Sequence, residues 1–61
     1  MSSNHVTHEI AVQRLRAAGA TIVADEVAAY RSVDDDLKGW DGWVRGKYGL
    51  RIIGLIWPEE A

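Results

Sequence analysis

The side chains of this chain that could do chemistry are few, and their spacing decides how far each can go. His5 and His8 lie three apart, with Glu9 adjacent. Two imidazoles at i and i+3 share one helical face and could begin a metal site. A zinc centre needs at least a third protein ligand at a matching place, and the sequence offers no cysteine and no further histidine. Surface histidines are expected. Asp34-Asp35-Asp36-Leu37-Lys38-Gly39 opens as a calcium loop does, with Asp34 and Asp36 at the first and third positions and Gly39 at the sixth. Lys38 then stands where an oxygen ligand belongs, and Arg45 stands where a bidentate Glu closes such a loop. An acidic, solvated turn is expected. Ser2, Ser3 and Ser32 have no neighbouring base and orienting group to activate them. No glycine-rich phosphate loop is present. The sequence therefore predicts no catalytic residue, no metal, no cofactor and no small-molecule substrate: a protein that is not an enzyme.

One segment carries a stronger signal. Lys38, Arg45, Lys47 and Arg51 interleave with Trp40, Trp43 and Tyr48. Trp, Tyr and Arg dominate binding energy where they fill a partner's pocket. This pattern predicts a protein-interaction module whose partner-binding residues are Trp40, Trp43, Arg45, Tyr48, Arg51 and Trp57. The partner would be another protein or a second copy of the chain. Two settings fit: a small subunit of a larger assembly, such as a virion or multiprotein complex, or a small inhibitor or regulator docked on another protein. The alternative is a nucleic-acid-binding regulator working through the basic aromatic segment 38–51, chiefly Trp40, Trp43, Arg45, Lys47 and Arg51. Single-strand binders pair aromatic platforms with a positive groove. Against it, the second helical segment opens with Asp25-Glu26 and ends in three Asp, and the third helix of the usual helix-turn-helix plan is missing. The bland reading of the three tryptophans is that they form core.

Those residues must be positioned by a small chain. At 61 residues it is one domain, 1–61, and a chain of this size buries only about 60% of the surface its unfolded form exposes. With no cysteine there is no disulfide to staple it, so oligomerisation or docking becomes the expected support. Net charge is −2, but the halves differ. Residues 1–37 carry three Arg against six carboxylates; residues 38–57 carry Lys38, Arg45, Lys47 and Arg51 against Asp41 alone. Met1 to Glu9 lacks the basic start and apolar core of a signal peptide. The apolar run Leu50 to Trp57 is far short of the roughly twenty residues that span a bilayer. A cytoplasmic or virion-associated protein is expected, with no membrane span. Richness in Ala, Val, Gly, Arg and Asp suits a GC-rich bacterial or bacteriophage genome.

The periodicity predicts a helical hairpin. Ile10, Ala11, Val12, Leu15 and Ala18 make an apolar stripe, with Asn4 or Thr7 as N-cap and Gly19 as the stop. Thr21 would cap a second helix whose seam runs through Val23, Val27, Tyr30, Val33 or Asp34, and Leu37. The helices are placed at about 5–18 and 22–37; the competing reading takes 20–24 as a strand. After Leu37 the texture changes. Gly39, Gly42, Gly46 and Gly49 make a long helix costly, at up to about 1 kcal/mol each relative to Ala. The sequence thus predicts a C-terminal β-hairpin, with strands at about 40–45 and 50–57, a turn at 46–49, and Pro58 as terminator. The last strand would be apolar on both faces and would need cover from another chain. The fold expected is α+β. Its alternative is all-α, with a third helix striped by Gly42 and Gly46.

Overall fold

The computed structural model describes residues 6–32, 34 and 36–60. Asn4, His5, Val33 and Asp35, which figured in the cap, metal, seam and acidic-turn expectations, lie outside the described residues. The regular elements are all helical: α1 (His8–Ala17), α2 (Thr21–Ala29), α3 (Trp40–Lys47), α4 (Leu50–Ile56) and a 3-10 turn at Pro58–Glu60. No strand occurs among the described residues. The α+β expectation is therefore overturned, and the all-α alternative with its glycine-bearing third helix describes the molecule.

The first two helices follow from local chemistry. Thr7 caps α1, its hydroxyl oxygen accepting the Ile10 N–H at 3.2 Å, which satisfies one first-turn donor. At the other end Gly19 takes the left-handed conformation at φ 85°. The Ala20 N–H then reaches the Leu15 carbonyl at 2.9 Å and the Gly19 N–H reaches that of Arg16 at 3.0 Å. This pair of bonds closes the helix in a Schellman turn. The chain reverses within three residues, so α2 packs back along α1, with Ala11 and Leu15 of one and Ala24 and Val27 of the other fully buried. Residues 20–24 are helix entry and first turn, not strand. Thr21 is the first helical residue rather than the cap; Ala20 holds the cap position without a side-chain bond.

Helix α2 stops at Ala29, well short of residue 37. Three Asp at a helix C-terminus would face the negative end of the dipole, and Ser and Asp offer the backbone competing bonds. Ser32 does so. Its hydroxyl oxygen accepts the N–H groups of Asp34 and Asp36 at 3.2 and 3.4 Å, and its O–H donates to the Asp36 carboxylate at 2.7 Å. That carboxylate also accepts the Lys38 N–H at 2.9 Å. These two donors hold Asp36 below the ordinary carboxylate range. Leu37, expected on the seam, is exposed on this loop.

The β-hairpin fails for a reason visible in α3. Trp40 and Val44, one helical turn apart, are both buried, and Trp43 and Lys47 form a second row. Gly42 and Gly46 fall on the remaining face, where an added Cβ would meet nothing within 4 Å. The glycine penalty is real, but the buried row outweighs it, as tertiary packing usually outweighs propensity. Gly39 at φ 79° turns the chain into α3. The expected turn residues Gly46 and Lys47 belong to the helix, and only Tyr48 and Gly49 separate it from α4. The run Leu50 to Trp57 is apolar at nearly every position, so its pattern fits a buried helix as well as a strand. As a helix it buries Ile53 and Ile56 against α1, and Trp57 follows them into the core. The Arg14 guanidinium closes the last turn of α4, donating to the Ile56 carbonyl at 2.7 Å. Pro58, which cannot continue a helix, starts the 3-10 turn instead.

Candidate functional site

The structure divides the six expected partner-binding residues between two clusters and one outlier. Trp40 and Trp57 are buried and stack on each other, with centroids 5.6 Å apart and planes 11° from parallel. His8 meets the Trp40 ring edge-on at 5.7 Å. Its Nε2 lies 2.6 Å from the Val27 carbonyl oxygen, an acceptor only, so this nitrogen carries the proton. Arg45 lies over the outer face of Trp57, its guanidinium carbon 4.1 Å from the ring centroid. It also donates two parallel bonds to the Glu60 carboxylate, at 2.6 and 2.9 Å. Glu60 holds the Arg45 guanidinium above its ordinary range, and Arg45 holds Glu60 below the carboxylate range. Trp40, Trp57 and Arg45 thus tie the 3-10 turn and α3 together.

Trp43 and Tyr48 form the second cluster. Trp43 is half-buried between Tyr30, at 4.9 Å and a tilt of 36°, and Tyr48, edge-on at 6.1 Å. The Tyr48 hydroxyl donates to the Glu26 carboxylate. Burial, then the bond and charge of Glu26, push the Tyr48 phenol up to about 12. Lys47 reaches over both rings, its Nζ 5.6 Å from the Trp43 centroid and 5.9 Å from that of Tyr48. Arg51 stands apart, exposed on α4.

Beside this second cluster lies an open groove of about 610 Å³, lined by Glu26, Ala29, Tyr30, Arg31, Ser32, Trp43 and Lys47. Helix α2 supplies its wall through Glu26, with Tyr30 one turn further on; α3 supplies Trp43 and Lys47, also one turn apart. The Tyr30 hydroxyl donates to the Lys38 carbonyl at 3.3 Å, fixing the loop that carries Lys38 beside the groove. Of the basic aromatic residues singled out in the sequence, Trp43 and Lys47 line it directly, and Tyr48 braces Glu26 behind it. Sequence reasoning missed Glu26 and placed Tyr30 in an apolar seam. Their spacing of four on α2 put them on one face, but which face α3 would meet depends on a helix the glycines disguised.

No protein-family model, curated protein or solved structure matches the chain. Among the described residues, no group of three or more His, Cys, Asp or Glu could hold a metal ion, and no helix is long and apolar enough to cross a membrane. The groove brings together the packed Tyr30 and Trp43 rings, Lys47, which lies over Trp43, and Arg31, which donates to the Tyr30 carbonyl at 2.7 Å. Its one carboxylate is already engaged by Tyr48 and Lys47. Such a surface suits a flat, apolar group that carries negative charge.

Proposed function

We propose that the chain is a small, non-enzymatic binding protein that takes single-stranded nucleic acid at the groove between α2 and α3. The supporting observation is the grouping of Tyr30, Trp43, Lys47 and Arg31 around one open groove of about 610 Å³, with Lys38 on the adjoining loop. A base stacks on an aromatic face whatever its sequence, contributing about 1–3 kcal/mol, while cations along the groove meet the backbone phosphates. The segment that contributes most is part of the basic aromatic stretch 38–51. Trp40 and Arg45 of that stretch act from behind, by fixing α3.

The experiment is a fluorescence-anisotropy titration of a labelled short oligothymidylate with the purified chain across a salt series. Binding is expected at low salt, with log K falling against log salt by about 0.7 for each phosphate contacted. Absence of binding at low salt, or binding indifferent to salt, contradicts the proposal.

A second reading, docking on a protein partner or a second copy of the chain, is favoured by Ile22 and Leu50. These remain 75% and 73% exposed. Its other supports are weaker in a helical molecule, because α4 turns its Ile53 and Ile56 inward instead of presenting a strand edge. Sedimentation of the isolated chain checks it: a monomer at all concentrations removes the self-association form of this reading.

A further inference from the structure

Glu26 is the single carboxylate among the residues lining the groove. Its Oε1 accepts the Tyr48 hydroxyl, and Lys47 Nζ stands 3.9 Å from the same oxygen. That separation is too long for a hydrogen bond. Both side chains are about half exposed, at 47% and 48%, so the ion pair is weak and screened by salt. The two contacts differ in kind. Tyr48 anchors the carboxylate to the link after α3, whereas Lys47 is only leaning toward it, over the Trp43 ring.

We propose that Glu26 is a resident counter-ion that sets the groove's affinity for nucleic-acid phosphate. This rests on the nucleic-acid reading above. With the groove empty, Glu26 holds Lys47 over the aromatic rings. A backbone phosphate draws Lys47 outward, and because Tyr48 retains Glu26, the carboxylate does not follow. The departure of Lys47 also uncovers the Trp43 face on which a base stacks. An isolated phosphate gains little here, since it exchanges one anionic partner of Lys47 for another. An oligonucleotide meets the same exchange at Lys47 but adds stacking, so it binds where a simple anion gains little.

The test uses the full chain and three variants, Glu26→Gln, Lys47→Gln and the double variant, titrated with the same oligothymidylate across a salt series. Gln keeps an acceptor oxygen for Tyr48 while removing the charge, and far-UV circular dichroism verifies that the helices remain. Glu26→Gln is expected to bind about two- to fivefold tighter, the range that loss of an exposed ion pair allows. Its log K is expected to fall more steeply with log salt, by up to about 0.7. Most of that gain disappears when Lys47 is also Gln, the signature of coupling between the two residues. A helical Glu26→Gln variant that binds no tighter than the unmodified chain overturns the inference alone. So does an equal gain in the Lys47→Gln background. If neither the unmodified chain nor Glu26→Gln binds, this inference and the nucleic-acid reading fall together.

Discussion

The two halves of the molecule are both pairs of short helices, yet they are held by different means. In α1 and α2 the contact is a seam of small and branched residues, Ala11, Leu15, Ala24 and Val27, closed by the Schellman turn at Gly19. In α3 and α4 the connection is only Tyr48 and Gly49, and the half is held by large side chains: the Trp40–Trp57 stack and Arg45 over Trp57 within it, and Tyr48 reaching across to Glu26 of α2. The first half is specified by backbone geometry and periodicity. The second is specified by a few anchors, which leaves glycine free to occupy the solvent face. With Gly42 and Gly46 on the solvent face, α3 places Trp43 and Lys47 beside the groove.

The sharpest way to break this contrast is to remove an anchor. Trp57→Ala is expected to cost about 3–5 kcal/mol, the usual range for a buried Trp. A chain of this length holds only about 3–9 kcal/mol in total, at about 0.05–0.15 kcal/mol per residue. Urea denaturation is expected to find this variant partly or wholly unfolded in buffer. If it instead unfolds at the unmodified midpoint, the aromatic stack is not what holds the second half.

Glycine substitutions give effects of opposite sign in the two halves. Gly19→Ala forces a side chain into the left-handed region and is expected to destabilise by about 1 kcal/mol or more. Gly42→Ala and Gly46→Ala meet open space on a helical backbone and are expected to stabilise by up to about 1 kcal/mol each. Thermal or urea midpoints check both. Destabilisation by Gly42→Ala and Gly46→Ala contradicts the helical account of residues 40–47.

A pH dependence is seated at the junction of the halves. The Tyr48 phenol is raised to about 12 in the folded chain, against about 10 when unfolded. Its contribution is therefore fully present below pH 10 and is lost as pH rises toward 12. Absorbance titration is expected to show a tyrosine phase that ionises near 12, and Tyr48→Phe removes that phase. Absence of that late phase in the unmodified chain would contradict the Tyr48–Glu26 contact.

The difference between the halves also explains what was legible beforehand. Helix α1, its Thr7 cap and its Gly19 stop follow from residue types alone, because each answers a local backbone need. The end of α2 is not legible, since the Ser32–Asp36 bonds compete with an apolar seam whose spacing continues to Leu37. Helices α3 and α4 were concealed. Glycine propensity argued against α3, and the nearly unbroken apolar run 50–57 carries no period. Only the contacts of Trp40 and Val44 with the rest of the core decide for helix, and these are long-range. Trp43 and Lys47 were legible as candidates by type; their meeting with Glu26 and Tyr30 required that same packing.

The account turns on Trp43 being the tryptophan that faces a ligand, while Trp40 and Trp57 serve the core. The three indole N–H signals in a nitrogen–proton correlation spectrum test it most directly, recorded while oligothymidylate is added at low salt. The account predicts that the Trp43 signal moves, together with the amides of Glu26, Tyr30 and Lys47, and that the Trp40 and Trp57 signals stay in place. Movement of the Trp40 and Trp57 signals alone, or no movement at any indole, would contradict it.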